Sequence, residues 1–208
     1  MTGILGAMAL VVGGYLIGAL PFGLLVGRLA GGVDLREHGS GRIGATNALR
    51  TIGLAGAVVT FVLDVGKGVV AVVLALWLYQ AGASGSPQAI AAAAGTAAVA
   101  GHIRSVFIGF RGGRGVATFA GAMLATSPWT VAIVVPIVAL VVSRSRFVSL
   151  GSLIGSALAP IVTAAFIPLG QATWAGVALG VGGAALVTAA HADNIARLRA
   201  GTERRIGR

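Results

Sequence analysis

Residues 115–143 have the sequence GVATFAGAMLATSPWTVAIVVPIVALVVS and contain no charged side chain. An α-helix crosses the hydrocarbon core of a bilayer in about 20 residues, at about 1.5 Å of rise per residue. The stretch therefore forms either one long, tilted helix or two short helices that meet at Ser127-Pro128. The choice decides on which side of a membrane the rest of the chain lies.

The charges that flank this stretch favour one alternative. A single helix would place Arg114 opposite Arg144 and Arg146, and the arginine-rich tail would then end outside the cell. Two short helices place every basic cluster on one side of the membrane. Because basic loops stay on the cytoplasmic side, the charge pattern predicts two helices.

Four further uncharged stretches extend this pattern along the chain: residues 1–27, 51–63, 68–103 and 147–192. We predict an all-α integral membrane protein with seven transmembrane helices, the N-terminus outside and the C-terminus cytoplasmic, in which residues 1–208 form a single transmembrane domain. Uncharged outward turns are expected at 81–87, 127–128 and 168–170. The predicted spans are 4–28, 52–79 (interrupted by Asp64 and Lys67), 88–108, 115–126, 129–143, 147–167 and 171–190.

The composition excludes the soluble classes of protein. Hydrophobic residues make up 57% of the chain and charged residues 10%, against about 25% charged residues in a typical soluble protein. Too few polar residues remain to cover a globule, and a disordered chain is less apolar. The 34 glycines suit close helix packing in lipid. The absence of cysteine excludes disulfides, thiol catalysis and cysteine-based zinc sites.

The net charge of +10 suggests an anionic partner: nucleic acid, anionic lipid or an anionic substrate. The basic residues gather at the ends of the spans, with few aromatic residues among them to stack on bases, so nucleic acid is the poorer explanation. The five acidic residues include no close pair and the three histidines lie far apart, so no metal site or cofactor is predicted.

The first polar segment, residues 39–50, alternates flexible residues with hydrogen-bond donors. Gly41 and Gly44 allow the backbone to curl so that successive N–H groups converge on an anion. We expect a phosphate or carboxylate site here; the alternative is a solvated turn in which Thr46 or Asn47 caps the next helix. The candidate side-chain donors are Ser40, Thr46, Asn47 and Arg50.

The second polar segment, residues 110–118, combines arginine with glycine and is preceded by His102. It leads into a predicted helix N-terminus, where unpaired N–H groups and the helix dipole favour phosphate. The alternative is a basic anchor for the cytoplasmic side, which would not require glycines. The candidate residues are Arg111, Gly112, Gly113, Arg114 and Gly115.

Two smaller motifs complete the set. Asp64 and Lys67 lie three residues apart on a predicted span, where they can pair. Ionisable groups inside a span are costly and therefore commonly functional, but a structural ion pair that holds a kink at Gly66 and Gly68 fits equally well. In the tail, His191 and Asn194 share a face if the last helix continues, and otherwise they cap its end.

These residues resemble the motifs of the bacterial acyl-phosphate:glycerol-3-phosphate acyltransferase (PlsY) family, in the family's order and over almost the whole chain. The matching motifs are Ser-Gly-x-x-Gly-Ala-Thr-Asn-x-x-Arg at 40–50, Asp-x-x-Lys-Gly at 64–68, Gly-His at 101–102 with Phe-Arg-Gly-Gly-Arg-Gly-Val-Ala-Thr at 110–118, His-x-x-Asn-Ile-x-Arg-Leu at 191–198 and Gly-Thr-Glu at 201–203.

The resemblance implies a seven-helix enzyme of the bacterial plasma membrane with its active site on the cytoplasmic face. It would transfer a fatty acyl group from acyl phosphate to the sn-1 hydroxyl of glycerol 3-phosphate, giving lysophosphatidic acid, without cofactor or metal. The proton acceptor would be a substrate phosphate oxygen, with His191 as the rival. The residues implied to contact phosphate are Ser40, Arg50, Arg114, His191 and Asn194, followed by Lys67, His102 and Arg111.

This chain departs from the family's pattern at a few positions. The family usually has Asn and Pro where Arg42 and Ile43 stand, and commonly lysine where Arg111 and Arg114 stand. Arginine keeps the charge but offers a planar fork of donors in place of a point charge. The competing class of protein is a transporter for an organic anion, although the basic motifs lie on one face and no inverted repeat is evident.

Overall fold

The computed structural model describes residues 2–79 and 85–207, and within them it is helical and contains no strand. This confirms the prediction of an all-α protein. The elements are α1 Thr2–Ala19, α2 Phe22–Gly31, α3 Ala45–Leu78, α4 Pro87–Ile103, α5 Val116–Thr126, α6 Pro128–Ser145, α7 Val148–Ala165, α8 Trp174–Ala190 and α9 Ala192–Arg199, with 3₁₀ turns at Leu35–Glu37 and Val106–Ile108.

The first predicted span, 4–28, is not one continuous helix. It is divided between α1 and α2 by a break at Leu20-Pro21. Proline has no backbone N–H and disfavours the helical conformation in the residue before it. The break leaves the Leu20 carbonyl without a helical partner, and this oxygen accepts a hydrogen bond from Lys67 Nζ at 2.9 Å.

The second span also differs from its prediction. Helix α3 starts at Ala45 rather than at residue 52, and its break lies at Gly53, where φ is +80°, a value that glycine adopts without a side-chain clash. The helix continues through Asp64 and Lys67, so the expected interruption there is wrong. Gly68 instead allows close contact with α5, because a Cβ at this position would overlap the carbonyl oxygen of Thr118.

The opening stretch 115–143 folds as two helices, α5 and α6, separated at Ser127. Helix α5 has only 11 residues, which corresponds to about 16 Å at the standard helical rise. The far end of this hairpin is joined to the α7–α8 turn, since Trp129 Nε1 donates a hydrogen bond to Gln171 Oε1 at 2.9 Å. The predicted 88–108 span corresponds to a candidate membrane span at Pro87–Ile108, within which α4 ends at Ile103 and the 3₁₀ turn Val106–Ile108 follows.

Helix α4 forms the centre of the bundle and packs against α1, α3, α5 and α8. Alanine and glycine make up most of its buried face and let neighbouring backbones approach closely. A Cβ at Gly18 of α1 would overlap the backbone of Ala98, and one at Gly101 of α4 would overlap the carbonyl oxygen of Tyr15. The abundance of glycine therefore reflects helix packing at these positions.

The outer surface of the bundle is apolar. Large side chains on α1, α3 and α6 are exposed, among them Leu5 at 63%, Leu54 at 70% and Leu140 at 55%. A water-soluble protein rarely exposes such a surface, whereas lipid covers it without cost. Among the described residues, five helical segments are long and apolar enough to cross a membrane, or six if α8 and α9, which meet at 64°, are counted as one.

The two ends of the bundle differ in character. The chain's three tryptophans lie at one end, at the C-terminal end of α3 and the N-terminal ends of α6 and α8, and all three are exposed. The predicted turns 127–128 and 168–170 lie at this end, while residues 81–84 of the predicted turn 81–87 fall outside the described residues. The opposite end carries the polar segments. The tryptophans are Trp77, Trp129 and Trp174.

Candidate active site

The polar segments surround one cavity of about 370 Å³ at the end of the bundle opposite the tryptophans. Two helix N-termini open onto it, that of α3 at Ala45 and that of α5 at Val116. Their unpaired N–H groups and aligned dipoles give this wall a positive potential. The structure brings together in this cavity the five residues ranked first from the sequence: Ser40, Arg50, Arg114, His191 and Asn194.

The loop before α3 is built around Asn47. The Asn47 side chain donates hydrogen bonds to the carbonyls of Leu35, His38 and Arg42 at 2.8–3.0 Å and accepts one from the Ser40 N–H at 2.9 Å. Its amide donors are thus committed to the loop, and Asn47 shapes the site rather than offering a donor to a ligand. Neither Thr46 nor Asn47 caps α3, because Gly44 is the N-cap residue and no side chain caps this helix.

The second segment presents fewer backbone donors to the cavity than its glycines suggested. The N–H of Gly112 donates to the Ile103 carbonyl at 3.2 Å and that of Gly113 to the His102 carbonyl at 3.0 Å, so the end of α4 occupies both groups. Gly115, with φ of +81°, is the N-cap of α5 and lines the cavity. Gly41, Lys67, Arg111, Gly112 and Gly113 lie outside the cavity lining that the described residues form.

Arg114 is held over the cavity by an ion pair with the tail helix. Its Nη2 lies 2.9 Å from Oδ2 of Asp193, and Arg197 Nη2 lies 3.1 Å from the same oxygen. Partial burial works to raise the pKa of Asp193, but the two guanidinium groups outweigh it and hold that pKa below its usual value. The ion pair fixes the guanidinium in place while leaving its other donors for a ligand.

Glu203 links the end of the chain to the site. Its Oε1 accepts hydrogen bonds from Asn194 Nδ2 at 2.7 Å and from Ser149 Oγ at 3.0 Å, and its Oε2 lies 2.9 Å from Arg197 Nε. Sequence reasoning did not select Ser149, Arg197 or Glu203 as site residues. The Gly-Thr-Glu motif was a signal for Glu203, whereas nothing distinguishes Ser149 from other serines in apolar helices.

His191 lies past the end of α8 and presents one particular nitrogen to the cavity. Its Nδ1 is 2.8 Å from the carbonyl oxygen of Val187. A carbonyl only accepts hydrogen bonds, so we assign the ring proton to Nδ1 and leave Nε2 as an acceptor. Burial lowers the pKa of His191, and the nearby charge of Arg114 lowers it further, so the neutral form prevails at pH 7.

A buried polar cluster lies beneath the cavity. Asp64 and His102 line the cavity wall, while Lys67 sits behind them, and all three side chains are at most 3% exposed. Lys67 Nζ lies 2.9 Å from Asp64 Oδ1, so the two charges form an ion pair. The ammonium is directed at this carboxylate and at the Leu20 carbonyl, and the structure does not bring it to the cavity.

The remaining basic side chains give the cavity its excess of positive charge. Arg42, Arg50 and Arg204 line it and pair with no carboxylate among the described residues. Within residues 2–79 and 85–207, no three histidine, aspartate or glutamate side chains lie close enough to hold a metal ion. Guanidinium groups and helix N-termini around one cavity suit phosphorylated ligands.

Comparison with known proteins identifies the family. A model of the glycerol-3-phosphate acyltransferase family matches residues 8–201. The glycerol-3-phosphate acyltransferase of Zymomonas mobilis is 44% identical over 201 residues, covering 93% of this chain and 92% of the relative. That of Anaeromyxobacter is 39% identical over 204 residues, covering 96% of each.

Two crystal structures of PlsY, an integral membrane glycerol 3-phosphate acyltransferase, have the same fold. The glycerol 3-phosphate form matches with a TM-score of 0.83 and 34% identity, covering 97% of this chain and 96% of that chain. The lysophosphatidic acid form matches with a TM-score of 0.82 and 33% identity, covering 97% and 95%. The chain therefore belongs to the glycerol-3-phosphate acyltransferase family.

Proposed function

We propose that this chain acylates glycerol 3-phosphate to lysophosphatidic acid in the arginine-lined cavity, with acyl phosphate as the donor. The observation that carries the proposal is the meeting of two helix N-termini and several guanidinium groups in one cavity at the end of an apolar bundle. Such a cavity suits two phosphorylated reactants, one of which carries an acyl chain.

The reaction requires positioning more than a protein nucleophile. An acyl phosphate is a mixed anhydride whose phosphate is a good leaving group, so the glycerol hydroxyl attacks the carbonyl directly. A new ester C–O bond forms, the C–O bond to phosphate breaks, and the hydroxyl proton is transferred to an acceptor. Holding the two anions at reacting distance lowers the activation free energy by about 7–11 kcal/mol. Arginines offset the repulsion and stabilise the departing phosphate.

Two acceptors for the hydroxyl proton fit this arrangement. The first is an oxygen of the substrate's own phosphate, as the resemblance to PlsY implies. The second is Nε2 of His191, since Nδ1 is committed to the Val187 carbonyl. We assign the proton to the substrate phosphate; a pH–rate profile that changes shape in His191→Gln would transfer this role to His191.

The acyl chain is proposed to enter sideways from the bilayer. Apolar side chains of α3, α6 and α7 line part of the cavity: Phe61, Val138 and Val148. We further propose that the protein crosses the plasma membrane seven times with the cavity on the cytoplasmic face. The separation of basic residues and tryptophans to opposite ends of the bundle supports this orientation.

The proposal is tested with purified protein in detergent by measuring phosphate release. We expect phosphate release from acyl phosphate only when glycerol 3-phosphate is present, and no lysophosphatidic acid when acyl-CoA replaces acyl phosphate as the donor. Arg114→Ala should lower turnover by at least about a hundredfold, as loss of a group that stabilises developing charge does. Arg111→Ala, an exposed arginine of the same loop outside the cavity lining, is the matched control and should stay close to the parent.

Two results would overturn the proposal. One is phosphate release that does not depend on glycerol 3-phosphate, which would indicate hydrolysis. The other is movement of an organic anion across vesicles by a protein that releases no phosphate, which would indicate the transporter class.

A further inference from the structure

The buried cluster of Asp64, Lys67 and His102 has no part in the proposed reaction, yet it occupies the centre of the fold. Burying three ionisable side chains costs free energy unless each is paired, and removing one partner leaves an uncompensated group. The cluster joins α3 to α4, which carry Asp64 and Lys67 on one side and His102 on the other. Its location, directly beneath the cavity, suggests that it acts on the site.

Lys67 anchors one end of the cluster. Its Nζ lies 2.9 Å from Asp64 Oδ1 and donates a hydrogen bond to the Leu20 carbonyl, and it sits 5.9 Å from the centre of the Phe22 ring. These contacts tie α3 to the break between α1 and α2. The Asp64 carboxylate is therefore fixed from behind, on the side away from the cavity.

His102 forms the other end of the cluster and touches the glycine loop, defined as residues 112–115. Its Nδ1 faces Asp64 Oδ1 at 3.4 Å. On the other side of the ring, Nε2 occupies the space that a Cβ of Gly113 would take. The Gly113 N–H also donates to the His102 carbonyl at 3.0 Å. The ring thus lies between a fixed carboxylate and the backbone of the residue before Arg114.

We propose that His102, held in place by Asp64 and Lys67, is the positioning residue of the glycine loop and sets where Arg114 and the N-terminus of α5 meet a phosphate of the substrate. Gly113 is required because the imidazole packs directly on its backbone. The proposal rests on the proposed function, since it names what positions a phosphate-binding element of the same site. It assigns His102 a contact with the loop rather than with the reactant.

A double-mutant cycle on His102 and Gly113 tests this role. His102→Ala empties the space beside the loop, and Gly113→Ala forces a methyl group against the ring. Each single variant should raise the KM of the reactant whose phosphate meets the loop by about tenfold or more, since small misplacements in a site are costly. The turnover number should fall as well, because a displaced Arg114 stabilises the departing phosphate less well, whereas the KM of the other reactant should change little.

The double variant gives the decisive result. The methyl group of Gly113→Ala fills part of the space that His102→Ala vacates, so the KM of the double variant should be lower than that of either single variant. A direct contact of His102 with the reactant cannot be restored in this way, and a purely structural role would lower the free energy of unfolding without changing the KM. A KM in the double variant at or above that of the worse single variant overturns the proposal.

Two further variants keep the test decisive. Where His102→Ala does not fold, His102→Asn takes its place in the cycle, because asparagine still offers a polar partner to Asp64 but is too short to reach Gly113. Gly66→Ala, which meets no atom within 4 Å, is the control and should leave both KM values unchanged. Failure of the proposed function appears as a parent protein without turnover, whereas failure of the positioning role leaves parent turnover intact and no rescue.

Discussion

At the scale of single residues, burial of His191 predicts a measurable dependence of stability on pH. Its lowered pKa means that the unfolded chain binds a proton more readily than the folded protein does. The stability is therefore complete above the unfolded value of about 6.5 and falls as the pH drops below it towards the folded value. When the pH is lowered from about 8 to about 5, we expect the thermal unfolding midpoint of the parent to decrease by more than that of His191→Gln.

The control for this experiment is His38→Gln, since His38 is exposed on the loop before α3. It should lose as much stability over the same pH range as the parent does. Equal losses in the parent and in His191→Gln would show that the imidazolium of His191 is tolerated in the folded protein, contrary to the effect of its burial.

The residue types predicted part of the candidate site. Arg50 and Arg114 could be selected because each belongs to a glycine-containing polar segment at the end of a predicted span, a combination that suits an anionic ligand, and both line the cavity. Asn47 and Gly113 could not be assigned correctly, because their partners are backbone carbonyls that folding brings to them. A sequence shows which hydrogen-bond donors a residue carries, but it does not show whether backbone carbonyls of the folded protein already accept from them.

At the scale of elements, the contact between α1 and α4 depends on positions without a side chain. A Cβ at Gly18 would overlap the backbone of Ala98, whereas one at Gly13 on the same helix meets nothing within 4 Å. We expect Gly18→Ala to destabilise the protein by about 1–3 kcal/mol, the usual cost of overpacking. Gly13→Ala should be neutral or slightly stabilising, because alanine restricts the unfolded chain. Unfolding midpoints in detergent measure both, and equal midpoints would contradict close packing at Gly18.

Span length and charge predicted where the helices begin and end better than they predicted where the helices are broken. The helices α5 to α8 begin and end within a few residues of the predicted spans, because uncharged length and basic ends determine them. The break at Pro21 had a local signal, since proline lacks the N–H that a continuous helix needs. The break at Gly53 had none, because α3 contains four glycines and only the folded structure shows that this one adopts a positive φ.

At the scale of the whole molecule, helix α6 is held by a hydrogen bond at each end of the bundle. Trp129 contacts Gln171 at the tryptophan end, and the Ile206 N–H donates to the Arg146 carbonyl at the cavity end, at 2.9 Å. Helix α6 therefore runs from one end to the other, so the chain reverses direction at Ser127. Tryptophan favours a membrane interface and arginine the cytoplasmic side, which together predict the orientation of the whole bundle.

The absence of cysteine makes this orientation directly testable, because a single introduced thiol is then the only target for a maleimide. Leu169→Cys lies exposed in the α7–α8 turn, and Arg199→Cys lies exposed at the end of α9. In intact cells, a membrane-impermeant maleimide should label Leu169→Cys and leave Arg199→Cys unlabelled, and inside-out vesicles should reverse the result. Labelling of Arg199→Cys from outside would place the cavity on the external face and would contradict the proposed orientation. Labelling of both from one side would mean an even number of crossings between them, which is incompatible with α8 spanning the membrane.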